Sequence, residues 1–453
     1  MMREQEEAFR ILESALALAS QGVSEAEVAL CGGHSGETGF CTDGLVDCRE
    51  INSEAITVRV VKEGNVVQVG TTDFSREGIL EAAEEAQRQV DVLQPSEFER
   101  SLPDAQHYTV IEAFDAAAEA TRSLERAAMA SRAVLKAKER GYRTRGRCVV
   151  RRGGMDAGGQ VTPYAIANTK GLLAYHPKTR VEYGVEFGDA EGRFGAARFD
   201  AHAVASVDPD RIVETALAEL ESASAFRPVG PGLNKALLGP AAVGELVRFI
   251  GLTCGAGMVE SGASFLSDRI GSLICSKRVS LRDDFSHPLH RGMPFDLEGV
   301  ARKPVDIIVE GVAKGPVYSW ENAARLEGEA TGHRQSQAVV GEYEGARHLV
   351  MDGEGAPLEE LVQMVELGVY ISDLEHVRLV DSQKVRVTGV SRGGVRVVED
   401  GEIVAFGPPL RMECSVIDLL GSVLGSGQPV WSPGGVVPSL VVDGLPLRPT
   451  AAF

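Results

Sequence analysis

Two hairpins are written into this chain, one near each end, and they constrain its architecture more than any other local signal. In the first, Ile56, Val58 and Val60 alternate with Thr57 and Arg59, and Glu63-Gly64-Asn65 turns the chain into the apolar run Val66 to Val69. In the second, Val395 to Phe406 folds over Asp400-Gly401. Asp-Gly suits that position because both central residues of a tight hairpin turn take positive φ, and the period-two flanks bury one face of a strand. Antiparallel sheet is therefore expected at both ends of the chain.

Helical periods interrupt the strands. Phe9, Leu12, Leu16 and Ala19 share one face of a helix over 4–21, with Gly22 placed for a left-handed cap. Short strands follow at 26–31, 45–51 and 55–61; Ser75 then caps a helix carrying Ile79, Ala83, Ala86 and Val90 on one face. Between 91 and 110 the pattern breaks around Pro95 and Pro103, as a linker does. A helix over 115–140 shows Ala117, Leu124, Ala128 and Leu135 near one stripe, leaving Arg122, Glu125 and Arg126 for the opposite side. Strands at 148–151, 164–168, 172–175 and 181–187 precede a helix over 208–220, and 226–232, rich in Pro and Gly, closes this part. After a helix over 240–252 the remainder reads as strand, including 304–310, 312–320 and 384–390. With 453 residues, more than the ~250–300 at which one core stops growing, the chain is expected to be a multidomain α+β protein. The expected domains are an N-terminal helix and antiparallel-sheet domain (1–95), a middle helix and strand domain (110–225) and a β-rich C-terminal domain (233–453).

Asp and Glu outnumber Lys and Arg by 65 to 46, and the resulting net charge of −19 disfavours binding to phosphate backbones. No nucleotide fingerprint opens a helix, the polar N-terminus does not resemble a signal peptide, and no apolar run of ~18 residues offers a membrane span. The seven cysteines contain no Cys-x-x-Cys pair, which fits reduced thiols in a cytoplasmic protein.

Several segments, taken in order, resemble the TldD/PmbA family over nearly the whole chain. They are Ala55 to Val61 with the Gly64 turn, Gly70 to Ser75, Ser264-Phe265-Leu266-Ser267-Asp268-Arg269-Ile270-Gly271, Asp283-Asp284, and Pro294 to Val300. Glu329 to His333, then Ser391-Arg392-Gly393-Gly394 with the hairpin Glu399 to Ile403, continue the series. The resemblance implies a pair of related subunits, of which the TldD type is a zinc metalloprotease carrying His-Glu-x-x-x-His on a helix and a cysteine near the C-terminus. Aligned on the following Ser-Phe-Leu segment, the helix over 240–252 and the residue after it place Arg248, Phe249 and Thr253 at the His, Glu and His positions. Arginine has no lone pair for a metal, phenylalanine has no acid-base group, and threonine alone is a poor zinc ligand. The stretch 426–438 has no cysteine.

The resemblance therefore implies the noncatalytic PmbA/TldE-type subunit of a heteromeric peptidase acting on unfolded or precursor peptides. Such a chain would have no catalytic residue or cofactor of its own, with zinc on a TldD-like partner. A homodimer when alone, a self-associating binding protein and an independent metal-free hydrolase are the alternatives. Rival chemistry is sparse. His287-Pro288-Leu289-His290 lies near Asp283, Asp284, Asp296 and Glu298 in sequence, but Pro288 bars a helical ligand pair. Cys254 with His333, or Ser391 beside Arg392, are the candidates for a nucleophilic site. Asp296, Glu298, Ser391 and Arg392 are the candidate contacts to a peptide or partner.

Overall fold

The computed structural model describes residues 3–96, 101–155, 161–337 and 341–450. Its first half is built on one sheet of eight strands. They are β1 (Glu25–Cys41), β2 (Gly44–Lys62), β3 (Asn65–Thr71), β4 (Arg143–Gly154), β5 (Pro163–Asn168), β6 (Leu173–Tyr175), β7 (Thr179–Gly188) and β8 (Phe194–Ala201). The order along the sheet is β3-β2-β1-β4-β7-β8, with β5 bonded to β1 and β6 to β5. The first hairpin turns as expected: Glu63 and Gly64 take φ of 49° and 73°, and Lys62 pairs with Asn65.

The strands expected in separate domains, 1–95 and 110–225, thus share a sheet, because β1 runs 17 residues and pairs with both β2 and β4. What divides them is the helical layer. Helices α1 (Gln5–Ala19) and α2 (Arg76–Asp91) close one core with Val28, Leu30, Ile56 and Val58. Helices α3 (Ala116–Ala120), α4 (Ser123–Arg140) and α5 (Pro209–Leu220) lie further along, where α4 and α5 close a second core with Cys148, Val181, Tyr183 and Phe187. Residues 101–113 do not dangle as a linker. Leu102 N donates to Glu25, Trp320 Nε1 to Ser101 O and Tyr108 OH to Gly299 O, so the segment straps the sheet to the C-terminal part.

Two further expectations are corrected. The helix over 115–140 breaks between Ala120 and Ser123, and its apolar stripe faces outward: Leu124 is 79% and Leu135 65% exposed. The buried face is Ala130, Ala133, Val134 and Ala137 with Arg126, whose guanidinium reaches Glu50 at 2.5 Å and Thr38 at 3.3 Å. Small alanines bring the helix close to the sheet, and a buried arginine is tolerated because a carboxylate and a hydroxyl meet it. The strand expected over 312–320 is only Val312–Ala313, since Ser319 caps a helix over Trp320–Arg325 by accepting from Asn322 N. Short helices at Leu358–Val365 and Val416–Gly421 also punctuate the strand-rich part.

That C-terminal part has two large sheets and, among the described residues, a small two-stranded one pairing Arg334–Gln337 with Gly341–Glu344. One, of ten strands, runs through Leu374–Asp381, Arg386–Ser391, Leu410–Ser415, Leu440–Pro449, Gly232–Leu238, Gly368–Ile371 and the Asp400-Gly401 hairpin. The other, of six, contains Leu281–Asp283, Val305–Val309, Leu349–Met351, Val430–Ser432 and Gly435–Val437. Helix α6 (Pro240–Thr253) touches strands of both, and Val243, Leu246, Val247 and Ile250 join their common core.

Candidate functional site

Helix α6 starts where Gly239 turns out of its strand and Pro240 fills the first turn, a position whose missing N–H costs no hydrogen bond. Its three positions of interest all face protein. Arg248 Nε donates to Glu245 at 2.9 Å, its guanidinium stacks 4.2 Å above the Phe249 ring, and a second nitrogen lies 3.4 Å from Val377 O. Phe249 is buried, and Thr253 is fully buried with its hydroxyl donating back to Phe249 O at 2.8 Å. Gly251 lets the helix touch the neighbouring loop, since a Cβ there would sit 2.3 Å from Ala346 O. These are not the side chains of a zinc site: the guanidinium has no lone pair to give, the phenyl ring has no donor atom, and the lone hydroxyl, a weak ligand, is buried and turned back into its own helix.

Beside the C-terminal end of α6 lies a knot centred on Asp283, which is fully buried. Its Oδ2 accepts from Arg347 N and His348 N, both at 2.7 Å. His333 Nε2 stands 3.2 Å and His348 Nδ1 3.9 Å from Oδ1, without well-directed hydrogen bonds. Burial would raise this carboxyl, but the nearby positive charge of His333, with His348 and Arg302, outweighs it and holds the group well below the usual carboxylate range. Burial pushes His348 well below its ordinary value and His290 down to about 4; His290 Nε2 is bonded to Leu349 O at 2.9 Å. Among the described residues, no group of three or more His, Cys, Asp or Glu is arranged to hold a metal ion. His287 is remote in role: its Nδ1 accepts from Leu289 N within its own turn.

The other candidates are engaged within the fold. Cys254 is buried, directs its thiol to Gly251 O and is pushed up to about 12 by burial, the opposite of an activated nucleophile. Ser391 is fully buried and accepts from Leu410 N. Arg392 spans two parts of the molecule, bonded to Glu186 of β7 and 3.4 Å from Asp373. Asp296 accepts from Glu298 N, Val300 N and Arg334 N, and Glu298 from Trp320 N. Asp296 and Glu298 sit where the C-terminal part docks on the first sheet, beside Phe295, which packs with Ala29, Cys31 and Ile166. All four side chains are joints of the chain with itself.

A cleft that was not singled out from the sequence opens on the face of the first sheet opposite its helices. It measures about 270 Å³ and is closed on the far side by Met293, Phe295, His290, His348 and Trp431 to Pro433. Strand alternation builds it: Cys148, Val150, Val181 and Tyr183 go to the helical core, while Arg147, Arg151, Arg180, Glu182, Arg198 and Asp200 point the other way. Arg151 is paired across the ladder with Arg180, and Glu182 with Asp200. Such like-charge neighbours repel, and the diagonals neutralise them: Arg151 bonds Glu182, and Arg180 bonds Asp200 at 2.6 Å. The one local trace of it in the sequence is the alternation Arg180-Val181-Glu182-Tyr183, which puts charge on one face of β7 without saying what that face meets.

Residues 231–448 match the family described as the PmbA/TldA metallopeptidase C-terminal domain. A metalloprotease of Archaeoglobus fulgidus is 31% identical over 113 residues, and one of Methanocaldococcus jannaschii 23% over 199. These alignments cover 25% and 44% of this chain and 26% and 44% of the relatives, so the chain matches less than half the length of either. Among solved structures, TldE of Thermococcus kodakarensis superposes with a TM-score of 0.85 at 17% identity, covering 97% of this chain and 100% of that one. A candidate modulator of DNA gyrase from Thermotoga maritima superposes with a TM-score of 0.82 at 20% identity and the same coverages. Identities this low speak for the fold, which they share from end to end. Residues 231–448 thus carry the sequence of a PmbA/TldA metallopeptidase C-terminal domain, on a fold that the chain shares with TldE throughout.

Proposed function

We propose that this chain is the noncatalytic, TldE-type subunit of a heteromeric metalloprotease, pairing with a TldD-like chain that carries the zinc. The observation that supports the reading is helix α6, which the sequence alignment sets against the metal helix: Phe249 and Thr253 are buried in packing and Arg248 is paired with Glu245. Superposition on TldE over 97% of the chain supports the same assignment. In this role the chain supplies scaffold, interface and part of the wall around flexible or precursor peptides, in the cytoplasm. Among the described residues no helix is long and apolar enough to cross a membrane.

The test is copurification with a paralogue bearing His-Glu-x-x-x-His, followed by peptide cleavage assays with and without this chain. The expected result is a stable complex in which cleavage depends on both chains and is abolished by a chelator. A partner that neither binds this chain nor changes its cleavage when the chain is added overturns the reading.

A further inference from the structure

The cleft on the first sheet has a use that a scaffold alone does not require. Among its described lining residues, seven cations face three carboxylates, in a chain whose net charge is −19. The carboxylates are already committed. Glu182 serves Arg151 and lies 3.9 Å from Arg147, Asp200 serves Arg180, and Asp296 takes three backbone N–H groups. Lys178 and Arg198 line the cleft with no salt bridge to any described residue, the first half-buried and the second exposed. Arg180 also sits 5.4 Å from the Trp431 ring, so an aromatic surface adjoins the cations.

We propose that the cleft receives a carboxylate carried on a short peptide, with Lys178 and Arg198 as its unpaired cationic contacts. The arrangement favours such a ligand over a larger polyanion. The volume of about 270 Å³ lies near the lower end of small-ligand pockets, roughly 300–1,000 Å³. The acidic remainder of the molecule repels an extended phosphate backbone while the cleft concentrates a single anion. Met293, Phe295 and Trp431 supply apolar contact for the residues next to the carboxylate. Burial, with Arg180 and Arg347 nearby, pushes Lys178 down to about 7, so an entering anion would restore its full charge. The proposal rests on the subunit reading only for the carrier being a peptide.

The experiment uses the full chain alone, so that it succeeds or fails independently of any partner protease. Fluorescence anisotropy is measured with four labelled short peptides: acidic with a free C-terminus, the same peptide amidated, neutral with a free C-terminus, and basic and amidated. The acidic free peptide is expected to bind, more weakly as salt rises, with Trp431 emission changing in step. Whichever of the amidated acidic and neutral free peptides keeps the affinity assigns the side-chain or the terminal carboxylate. Arg198→Gln and Lys178→Gln should each weaken binding by roughly tenfold, the size of one lost charged hydrogen bond. Arg198, being exposed, is the variant least exposed to a folding artefact; unchanged thermal melts confirm both. Binding of the basic peptide as tight as that of the acidic one, no binding by any peptide, affinities unchanged in both folded variants, or stronger displacement by inorganic phosphate than by the unlabelled acidic free peptide would overturn the proposal.

Discussion

Two sites in this protein bury carboxyl groups, a single one at Asp283 and a cluster at the docking joint of Glu27, Asp296 and Glu298, and they behave in opposite ways. Asp283 is a lone carboxylate: two backbone N–H groups donate to it, and two histidines and Arg302 bring positive charge near it. At the joint, Arg59 interacts with four carboxylates, Glu27, Glu298, Glu342 and Asp296. Burial pushes Glu27 up to about 7 despite Arg59 at 2.9 Å, and burial with the Asp296 charge pushes Glu298 up to about 8. The ratio of donors to carboxylates, more than burial itself, decides whether a carboxyl in this protein is charged. The first site locks a loop against α6, and the second holds two parts of the chain together in a form that prefers to keep a proton.

The sharpest way to break the comparison is to remove the lone acid. Asp283→Ala leaves two backbone N–H groups without their acceptor, and His333 and Arg302 without the negative charge beside them, in a buried site. A loss of about 3–5 kcal/mol in unfolding free energy by denaturant titration is expected, the range for breaking a buried charged network. A loss below 1 kcal/mol would mean that Asp283 is not the keystone of the loop.

Acid sharpens the same side. His290 and His348 have folded values below their unfolded ones, so the unfolded chain takes up protons first as pH falls. Stability should therefore drop between about pH 6.5 and about 4, with His290 accounting for about 3 kcal/mol at 1.36 kcal/mol per unit. Asp283, held low, keeps its contribution through that window and loses it only at more acid pH. Thermal melts of His290→Gln should show a shallower slope from pH 6.5 to 4; an unchanged slope would remove His290 from the account.

These sites also mark where the sequence could and could not be read. The alternation Ile56-Val58-Val60 and the Asp400-Gly401 turn were legible because period and turn chemistry are local, and α6 because Val243, Val247 and Ile250 repeat at helical spacing. The middle of β1, Gly32-Gly33-His34-Ser35, was not, since its glycines answer a close crossing: a Cβ on Gly33 would lie 2.0 Å from Arg152 O. The buried face of α4 was misread because Arg126 is made apolar in effect by Glu50, which is distant in sequence. At the site, the absence of ligands on α6 was legible residue by residue. The cationic cleft was not, because it depends on which face of β4, β7 and β8 each charge takes and on Lys178 and Trp431 arriving from elsewhere.

The smallest expected effect tests the acidic joint. Glu298 accepts from Trp320 N, and glutamine retains a carbonyl oxygen for that bond, so Glu298→Gln removes the ionisable proton with little change in shape. The sign follows from the raised folded value: the folded chain holds the proton longer than the unfolded one, so the contribution is complete below about pH 4.3 and is lost as pH rises through about 8. The variant should match the parent near pH 5 and exceed it near pH 9. Because Glu298 is half-buried and solvent screens part of its charge, the gain should be on the order of 1 kcal/mol. A variant less stable than the parent at pH 9 would mean that Glu298 works as an anion there, and that Arg59 is charge enough for the carboxylates around it.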